Sequence, residues 1–138
     1  MTDTRGRPAA IRCFVCGPDN IQGLQIPFHM AGEVCRADFT PADWHCGYDN
    51  QLHGGILYSV LDDVMANWLF LQGQRAHTAK CEIRYRKPVT LGTSLQLEGR
   101  LLKRKGRLAV LQGSARRADN GELVAEAEAT FMVISEGA

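Results

Sequence analysis

One long segment of the chain, residues 56–71, has apolar side chains on almost every side of a helical projection. A helix with that pattern is enclosed on most sides by the rest of the fold. Its polar residues stand three and four positions apart, so they lie along one side of the helix. They are Ser59, Asp62, Asp63 and Asn67. Gly73 follows, and a glycine there is suited to end a helix in the left-handed conformation. The pattern predicts a single central helix.

Outside this segment apolar and polar positions alternate, which is typical of strands with one buried face. Two short segments before the helix predict a hairpin. Four longer segments after it predict strands joined by tight turns at residues 103–106 and 119–121. The hairpin covers residues 24–30 and 33–39, and the later strands cover 77–89, 94–102, 107–118 and 122–134. We therefore expect an α+β fold, a curved antiparallel β-sheet wrapped around one long central α-helix. This arrangement leaves a sheet edge uncovered, which favours a homodimer.

The composition is typical of one globular domain. The 138 residues are 45% hydrophobic and 22% charged, with a net charge of +1. This balance favours neither nucleic acid nor a membrane as a partner. We expect a flexible N-terminus over residues 1–12 and a single domain over residues 13–138. No apolar run has the length of a membrane span, and residues 1–12 lack the apolar core of a signal peptide. A cytoplasmic location is the expectation.

The chain has five cysteines, an odd number without the spacing of a disulfide framework, so reduced thiols are expected. Cys13 and Cys16 have the spacing of half a zinc site. A closed site needs four ligands, and no second two-ligand cluster follows at a customary distance. We expect a packed N-terminal turn here, with no metal and no other cofactor.

The most informative chemistry lies where the helix begins. His53, Gly54 and Gly55 precede the apolar segment, and Asp62 follows nine residues after His53. Paired glycines let the backbone approach a ligand and expose amide groups at the positive end of the helix dipole. A carboxylate in an apolar wall is costly unless it is used or paired, and desolvation raises its pKa, which improves it as a base. The pattern predicts a site that polarises a carbonyl, with an acid or base beside it.

Several strings along the chain resemble the hotdog-fold acyl-CoA thioesterases of the phenylacetate-pathway (PaaI-like) type. The resemblance covers about residues 13–134 and includes the histidine, the two glycines and Asp62. The other strings are Cys13-Phe14-Val15-Cys16-Gly17, Asn20, Gly23-Leu24, Gly47-Tyr48 and Tyr85-Arg86-Lys87-Pro88-Val89. They indicate the hotdog fold and an acyl thioester as substrate.

The resemblance implies roles for four residues. The Gly55 amide is similar to the family's donor that polarises the thioester carbonyl. Asp62 matches the carboxylate that acts as nucleophile or as general base for water, and it is expected to come from the partner subunit's helix. His53 resembles the residue that shapes the loop and contacts the thioester. Thr78 stands where related enzymes have a hydroxyl residue that helps to hold the attacking water.

Two departures from the family pattern bear on these roles. Some members have an asparagine at the position of Gly47, and the nearest asparagine here is Asn50. Simple strand alternation also places Thr78 on the face away from Ile83. Its role therefore requires a bulge in the strand between them.

A coenzyme A thioester needs an apolar pocket for its acyl group and cations for its phosphates. The expected substrate-binding residues are Gly54, Asn50, Tyr58, Arg84, Lys87, Arg104 and Lys105. The resulting prediction is hydrolysis of acyl-CoA to free acid and CoA by a homodimer, with a dimer of dimers as the expected assembly. A non-catalytic module that binds acyl-CoA or an aromatic acid is the alternative, and hydration or dehydration of acyl thioesters is a third. The acyl group stays open, as does the choice between CoA and an acyl-carrier protein.

Overall fold

The computed structural model describes residues 9–135, which form one antiparallel sheet and one helix. The elements are β1 (His29–Ala31), β2 (Val34–Phe39), α1 (Gly54–Phe70), β3 (Arg75–Tyr85), β4 (Leu95–Lys105), β5 (Leu108–Arg117) and β6 (Leu123–Ser135). The six strands lie in the order β1-β2-β4-β5-β6-β3. The predicted α+β class, a sheet around one helix, is confirmed. Of the predicted flexible segment 1–12, residues 1–8 lie outside the described part.

The strand predicted before residue 31 is mostly wrong. Only His29–Ala31 pairs with β2. The preceding residues instead bond to the N-terminal segment, where the Leu24 and Ile26 amides donate to the carbonyls of Phe14 and Val15. Pro27 offers no amide to a strand ladder, and Gln25 has a φ of 53°, outside the extended region.

The tight turn predicted at residues 103–106 begins later than expected. β4 continues to Lys105, and the turn starts at Gly106, whose φ is +60°. A register shift lies between Leu101 and Lys103. That irregularity breaks the alternation of apolar and polar residues, which is why the pattern ended the strand too early.

The helix lies on a pair of glycines in the middle of the sheet. Gly99 of β4 is directly opposite Gly113 of β5. A Cβ atom on Gly99 would come within 2.6 Å of the Val64 carbonyl oxygen, and one on Gly113 within 3.2 Å of the Leu61 carbonyl oxygen. Glycine in a strand interior marks such a close approach. The core is formed between this surface and the buried side chains of α1: Leu57, Val60, Leu61, Val64, Met65 and Leu69.

The strand β3 is one edge of the sheet and bonds only to β6. Its pairing is irregular between Thr78 and Lys80, so Ala79 forms a bulge. Beyond the bulge Thr78 pairs with Phe131, and Ile83 pairs with Ala127, and both partners are buried. Thr78 and Ile83 therefore lie on the same face of the sheet. The bulge required for Thr78 to face the helix is therefore present. Within residues 9–135 no helix has the length and hydropathy to cross a bilayer.

Candidate active site

The helix α1 begins at a glycine pair capped by a histidine. His53 has extended φ and ψ of −63° and 129°, and its side chain accepts a hydrogen bond from the Gly55 amide, with Nδ1 2.8 Å from the nitrogen. A neutral imidazole that accepts at Nδ1 carries its proton at Nε2. The His53 backbone is fixed as well, because its amide donates to the His45 carbonyl at 2.9 Å. The exposed ring therefore presents a hydrogen-bond donor to solvent.

The two glycine amides have different surroundings. The Gly55 amide, expected to polarise a carbonyl, donates to the His53 ring. A Cβ atom on Gly55 would lie 2.9 Å from Cε1 of that ring, so the ring position requires glycine. The Gly54 amide is at the first helical position, where no intrahelical acceptor exists. Among residues 9–135 it has no hydrogen-bond acceptor.

Tyr85 positions the peptide that follows this amide. Its hydroxyl donates to the Gly54 carbonyl oxygen at 2.8 Å, and its hydroxyl oxygen and two ring atoms would be 3.5–3.6 Å from a Cβ atom on Gly54. Beside them is a cavity of about 330 Å³. Its lining is Leu52, Gly54, Leu57, Tyr85, Arg86, Lys87, Pro88 and Val89. The sequence pattern does not mark Tyr85 as a site residue, although Tyr85 stands in one of the strings that carry the family resemblance.

Asp62 faces the edge strand. Its Oδ1 accepts a hydrogen bond from the Thr78 hydroxyl at 2.7 Å. Burial raises the pKa of this half-buried carboxyl above its ordinary value, and the Thr78 bond opposes that shift. Two other polar residues of the helix, Ser59 and Asn67, have different partners. The Ser59 hydroxyl donates to the Gly55 carbonyl, and the Asn67 amide donates to Asp63.

Tyr58 lies near Asp62 but has a different partner. Its hydroxyl is 3.3 Å from the Cys81 carbonyl oxygen, to which it donates. A hydrogen bond with Cys81, together with burial, raises the pKa of Tyr58 to about 12. The phenol is therefore neutral near pH 7 and acts as a hydrogen-bond donor to Cys81, not as a base.

The predicted cations are not gathered in one place. Lys87 lines the cavity beside Gly54, and its ammonium is 3.8 Å from Glu122. Arg104 bonds instead to the Gln74 side chain, just beyond the other end of α1. The 17 residues of α1 span about 25 Å. The exposed Lys105 is next to Arg104. Within one protomer the structure thus brings Lys87 to Gly54 but leaves Arg104 and Lys105 at the opposite end.

The other two predicted contacts are exposed. Arg84 lies on β3, and Asn50 lies in the loop before His53, with a φ of 64°. The Asn50 carbonyl accepts from the Leu91 amide, which holds the loop in place. Within residues 9–135 of one protomer, neither side chain forms a hydrogen bond with Asp62 or with the Gly54 amide.

Comparison with known proteins identifies the family and the fold of the chain. A family model described as the thioesterase superfamily matches residues 50–124, more than half of the chain. A crystal structure of a thioesterase superfamily protein superimposes with a TM-score of 0.78 at 28% identity, covering 86% of this chain and 61% of the other. The chain thus spans less than two thirds of that relative's length. No curated protein matches the chain.

Two further structures share the fold at lower identity. A hypothetical thioesterase protein with coenzyme A from Streptococcus pneumoniae has a TM-score of 0.75 at 19% identity, covering 82% of this chain and 90% of that one. The PaaI protein of Escherichia coli, from the phenylacetic acid degradation operon, has a TM-score of 0.75 at 20% identity, with 82% of both chains covered. This chain belongs to the thioesterase superfamily and has the hotdog fold of its PaaI-like members.

Proposed function

We propose that the protein hydrolyses acyl-CoA thioesters to the free acid and CoA, and that Asp62 is the nucleophile or the general base. The observation that carries this proposal is the bond of 2.7 Å between Asp62 and Thr78. It holds a half-buried carboxylate on an apolar helix, with a hydroxyl beside it that can also orient water. Burial raises the pKa of Asp62, which makes the carboxylate a better base near neutral pH.

The donor for the thioester oxygen is the Gly54 amide in this proposal. The Gly55 amide is engaged by His53, whereas the Gly54 amide points outward from the positive end of α1. As water or Asp62 attacks the carbonyl carbon, negative charge develops on the carbonyl oxygen, and a preorganised N–H stabilises it. The His53 ring fixes the first turn of the helix, and its outward Nε2–H is a second donor near the thioester. Where water attacks, Asp62 accepts its proton, and the CoA thiolate leaves and takes that proton up. Where Asp62 attacks, the thiolate leaves first, and water then hydrolyses the mixed anhydride, which frees the acid and regenerates the carboxylate.

The site requires two copies of the chain. Gly54 and Asp62 are eight residues apart on α1, which separates them by about 12 Å along the helix axis. A reacting carbonyl must lie about 3 Å from its donor and its attacking group. One thioester therefore cannot meet both groups of the same protomer.

The edge strand β3 offers the way to assemble such a site. Two copies of β3 can pair antiparallel around a two-fold axis at Lys80, the middle residue of the strand. In that pairing Thr78 of one copy lies beside the half of the other strand that ends at Tyr85. Thr78 is bonded to Asp62, and Tyr85 is bonded to Gly54. The pairing therefore brings the carboxylate of one protomer toward the open amide of the second, and a homodimer has two such sites.

The ligand class follows from the cavity at Gly54. Its lining combines apolar side chains with Arg86 and Lys87, a mixture suited to a thioester whose carrier has phosphates. The Streptococcus pneumoniae relative, which has coenzyme A in its structure, supports the same class.

The test is release of free thiol from phenylacetyl-, benzoyl-, hexanoyl- and palmitoyl-CoA by wild type and Asp62→Asn. We expect the variant to remain folded and dimeric and to lose turnover by about 100-fold or more. Asp38→Asn, an exposed carboxylate on β2, is the matched control and should retain activity. Equal rates for wild type and Asp62→Asn would contradict the role of Asp62. Tight binding of the same thioesters by wild type without any turnover would favour the non-catalytic binding module.

A further inference from the structure

A second cluster of side chains lies on the side of α1 that faces the N-terminal segment. Residues 13–17 form a closed turn, in which the Gly17 amide donates to the Cys13 carbonyl at 2.8 Å. A Cβ atom on Gly17 would be 2.3 Å from the Cys13 nitrogen, so the turn closes only with glycine. The Cys16 amide points at Cys13 Sγ from 3.5 Å. A backbone N–H directed at the sulfur fixes the position of Cys13 Sγ in the turn.

Asp63 completes a set of three metal-ligating groups with these cysteines. Cys13 Sγ lies 3.9 Å from both carboxylate oxygens of Asp63. One ligand atom from each of Cys13, Cys16 and Asp63 lies within 4.8 Å of the other two. Tetrahedral zinc with Zn–S bonds of about 2.3 Å separates two sulfur ligands by about 3.8 Å. The three atoms therefore reach metal-binding distances through a small contraction of side-chain positions.

Asn67 holds two of these groups in place. It is only 2% exposed. Its Nδ2 donates to Asp63 Oδ2 at 3.0 Å and lies 3.7 Å from Cys16 Sγ. A buried donor that bonds to ligand atoms fixes their orientation, as is usual around structural and catalytic metals.

The cluster borders a cavity of about 230 Å³, which His77 also lines. An ion held by the three groups would be reached by water or by an imidazole from that side. Two sulfurs and one carboxylate suit zinc and related transition metals, whereas magnesium and calcium prefer oxygen ligands alone.

We propose that Cys13, Cys16 and Asp63 bind one divalent ion of the zinc class. The ion fastens the N-terminal turn to α1 at Asp63, the residue next to Asp62. Spacing in the sequence indicated only half a zinc site. The fold supplies the third ligand, 50 residues from Cys13. This site is independent of thioester hydrolysis.

The test is titration of the tag-free, chelator-treated and reduced protein with Co²⁺, followed by Zn²⁺. We expect one equivalent of Co²⁺ to bind, with a thiolate-to-cobalt charge-transfer absorption in the near ultraviolet and visible bands typical of tetrahedral cobalt. Zn²⁺ should displace it and raise the melting temperature. Cys13→Ser, Cys16→Ser and Asp63→Asn should each weaken binding by about tenfold or more.

Cys46→Ser is the matched control, since Cys46 is an exposed free cysteine outside the cluster. Its titration should equal that of wild type. Absence of the charge-transfer band in the wild-type protein would overturn the proposal, as would unchanged Co²⁺ affinity in Cys13→Ser. If the cysteine variants do not fold, the intensity of the charge-transfer band in the wild-type protein still tests the proposal, because that intensity reports the number of thiolates bound to cobalt.

Discussion

The hydroxyl of Thr78 is bonded to Asp62 across 2.7 Å, although Thr78 lies on an edge strand and Asp62 on the central helix. The bulge at Ala79 turns Thr78 toward the helix. Without it, alternation along β3 would direct the hydroxyl to the other face of the sheet. A local irregularity in the strand thus supplies a partner to the carboxylate that we propose as the reactive group.

Replacing Thr78 tests whether this bond positions Asp62. Thr78→Val keeps the shape of the side chain but removes the donor, and we expect kcat to fall by about tenfold, the equivalent of one hydrogen bond to a charged group. KM should change little, because the bond orients the carboxylate rather than binding substrate. Thr78→Ser restores the hydroxyl and should recover most of kcat. A serine variant as slow as the valine variant would indicate a packing role instead.

The proposed donor amide can be removed without removing the helix. Proline is tolerated at the first helical position and lacks an N–H, and the preceding His53 already has the extended backbone that proline requires. Gly54→Pro should therefore lower kcat by about 100-fold. Gly54→Ala is the matched control, because it keeps the N–H and its Cβ atom would make ordinary contacts at 3.5 Å with Tyr85. Similar losses in the two variants would contradict the role of the amide.

Mixed dimers test whether each site is built from two protomers. Gly54→Pro and Asp62→Asn homodimers should both be inactive. A heterodimer of the two, isolated with two different affinity tags, contains one site with both an intact amide and an intact carboxylate. We expect it to have about half of the wild-type rate, since one of its two sites is intact. An inactive heterodimer would place both groups of a site in the same protomer.

His53 is expected to stabilise the first turn of α1 independently of any contact with substrate. His53→Ala removes the acceptor of the Gly55 amide and should lower the free energy of unfolding by about 1 kcal/mol. His53→Asn supplies a new capping oxygen and should restore stability, measured by urea denaturation at a fixed protein concentration. We expect kcat/KM to stay low in the asparagine variant, which lacks the outward Nε2–H. Recovery of both quantities would show that the ring acts only as a cap.

The glycine pair under the helix predicts a graded loss of stability. Gly99→Ala places a Cβ atom 2.6 Å from the Val64 carbonyl oxygen, so the helix must move, at a cost of about 2–3 kcal/mol. At Gly113 the nearest atoms are 3.2 Å away, and one is the flexible Met65 side chain. Gly113→Ala should therefore cost less, again measured by urea denaturation. Equal free energies of unfolding for the Gly99→Ala and Gly113→Ala variants would mean that the helix is not packed more closely against Gly99 than against Gly113.

The sequence predicted the local structure well because the patterns that specify it are local. The period of the apolar residues distinguished the helix from the strands, and the order of elements followed from it. The same reasoning placed candidate chemistry at His53 and Asp62, because glycines at a helix start and an acid in an apolar helix are recognisable without a fold. Errors arose where a single residue interrupts a pattern, as at Pro27 and at the shift after Leu101.

The tertiary structure decided everything that depends on contacts between distant segments. It directed the Gly55 amide to His53 and left the Gly54 amide open, and it joined Asp63 to Cys13. Neighbouring positions on a helix diverge by about 100°, so Asp62 and Asp63 face different partners that the chain reaches only by folding. The sequence by itself thus determined the elements and the types of reactive group, because these depend on short-range periodicity. Which groups meet was decided only by the tertiary structure, because that depends on how the sheet encloses the helix.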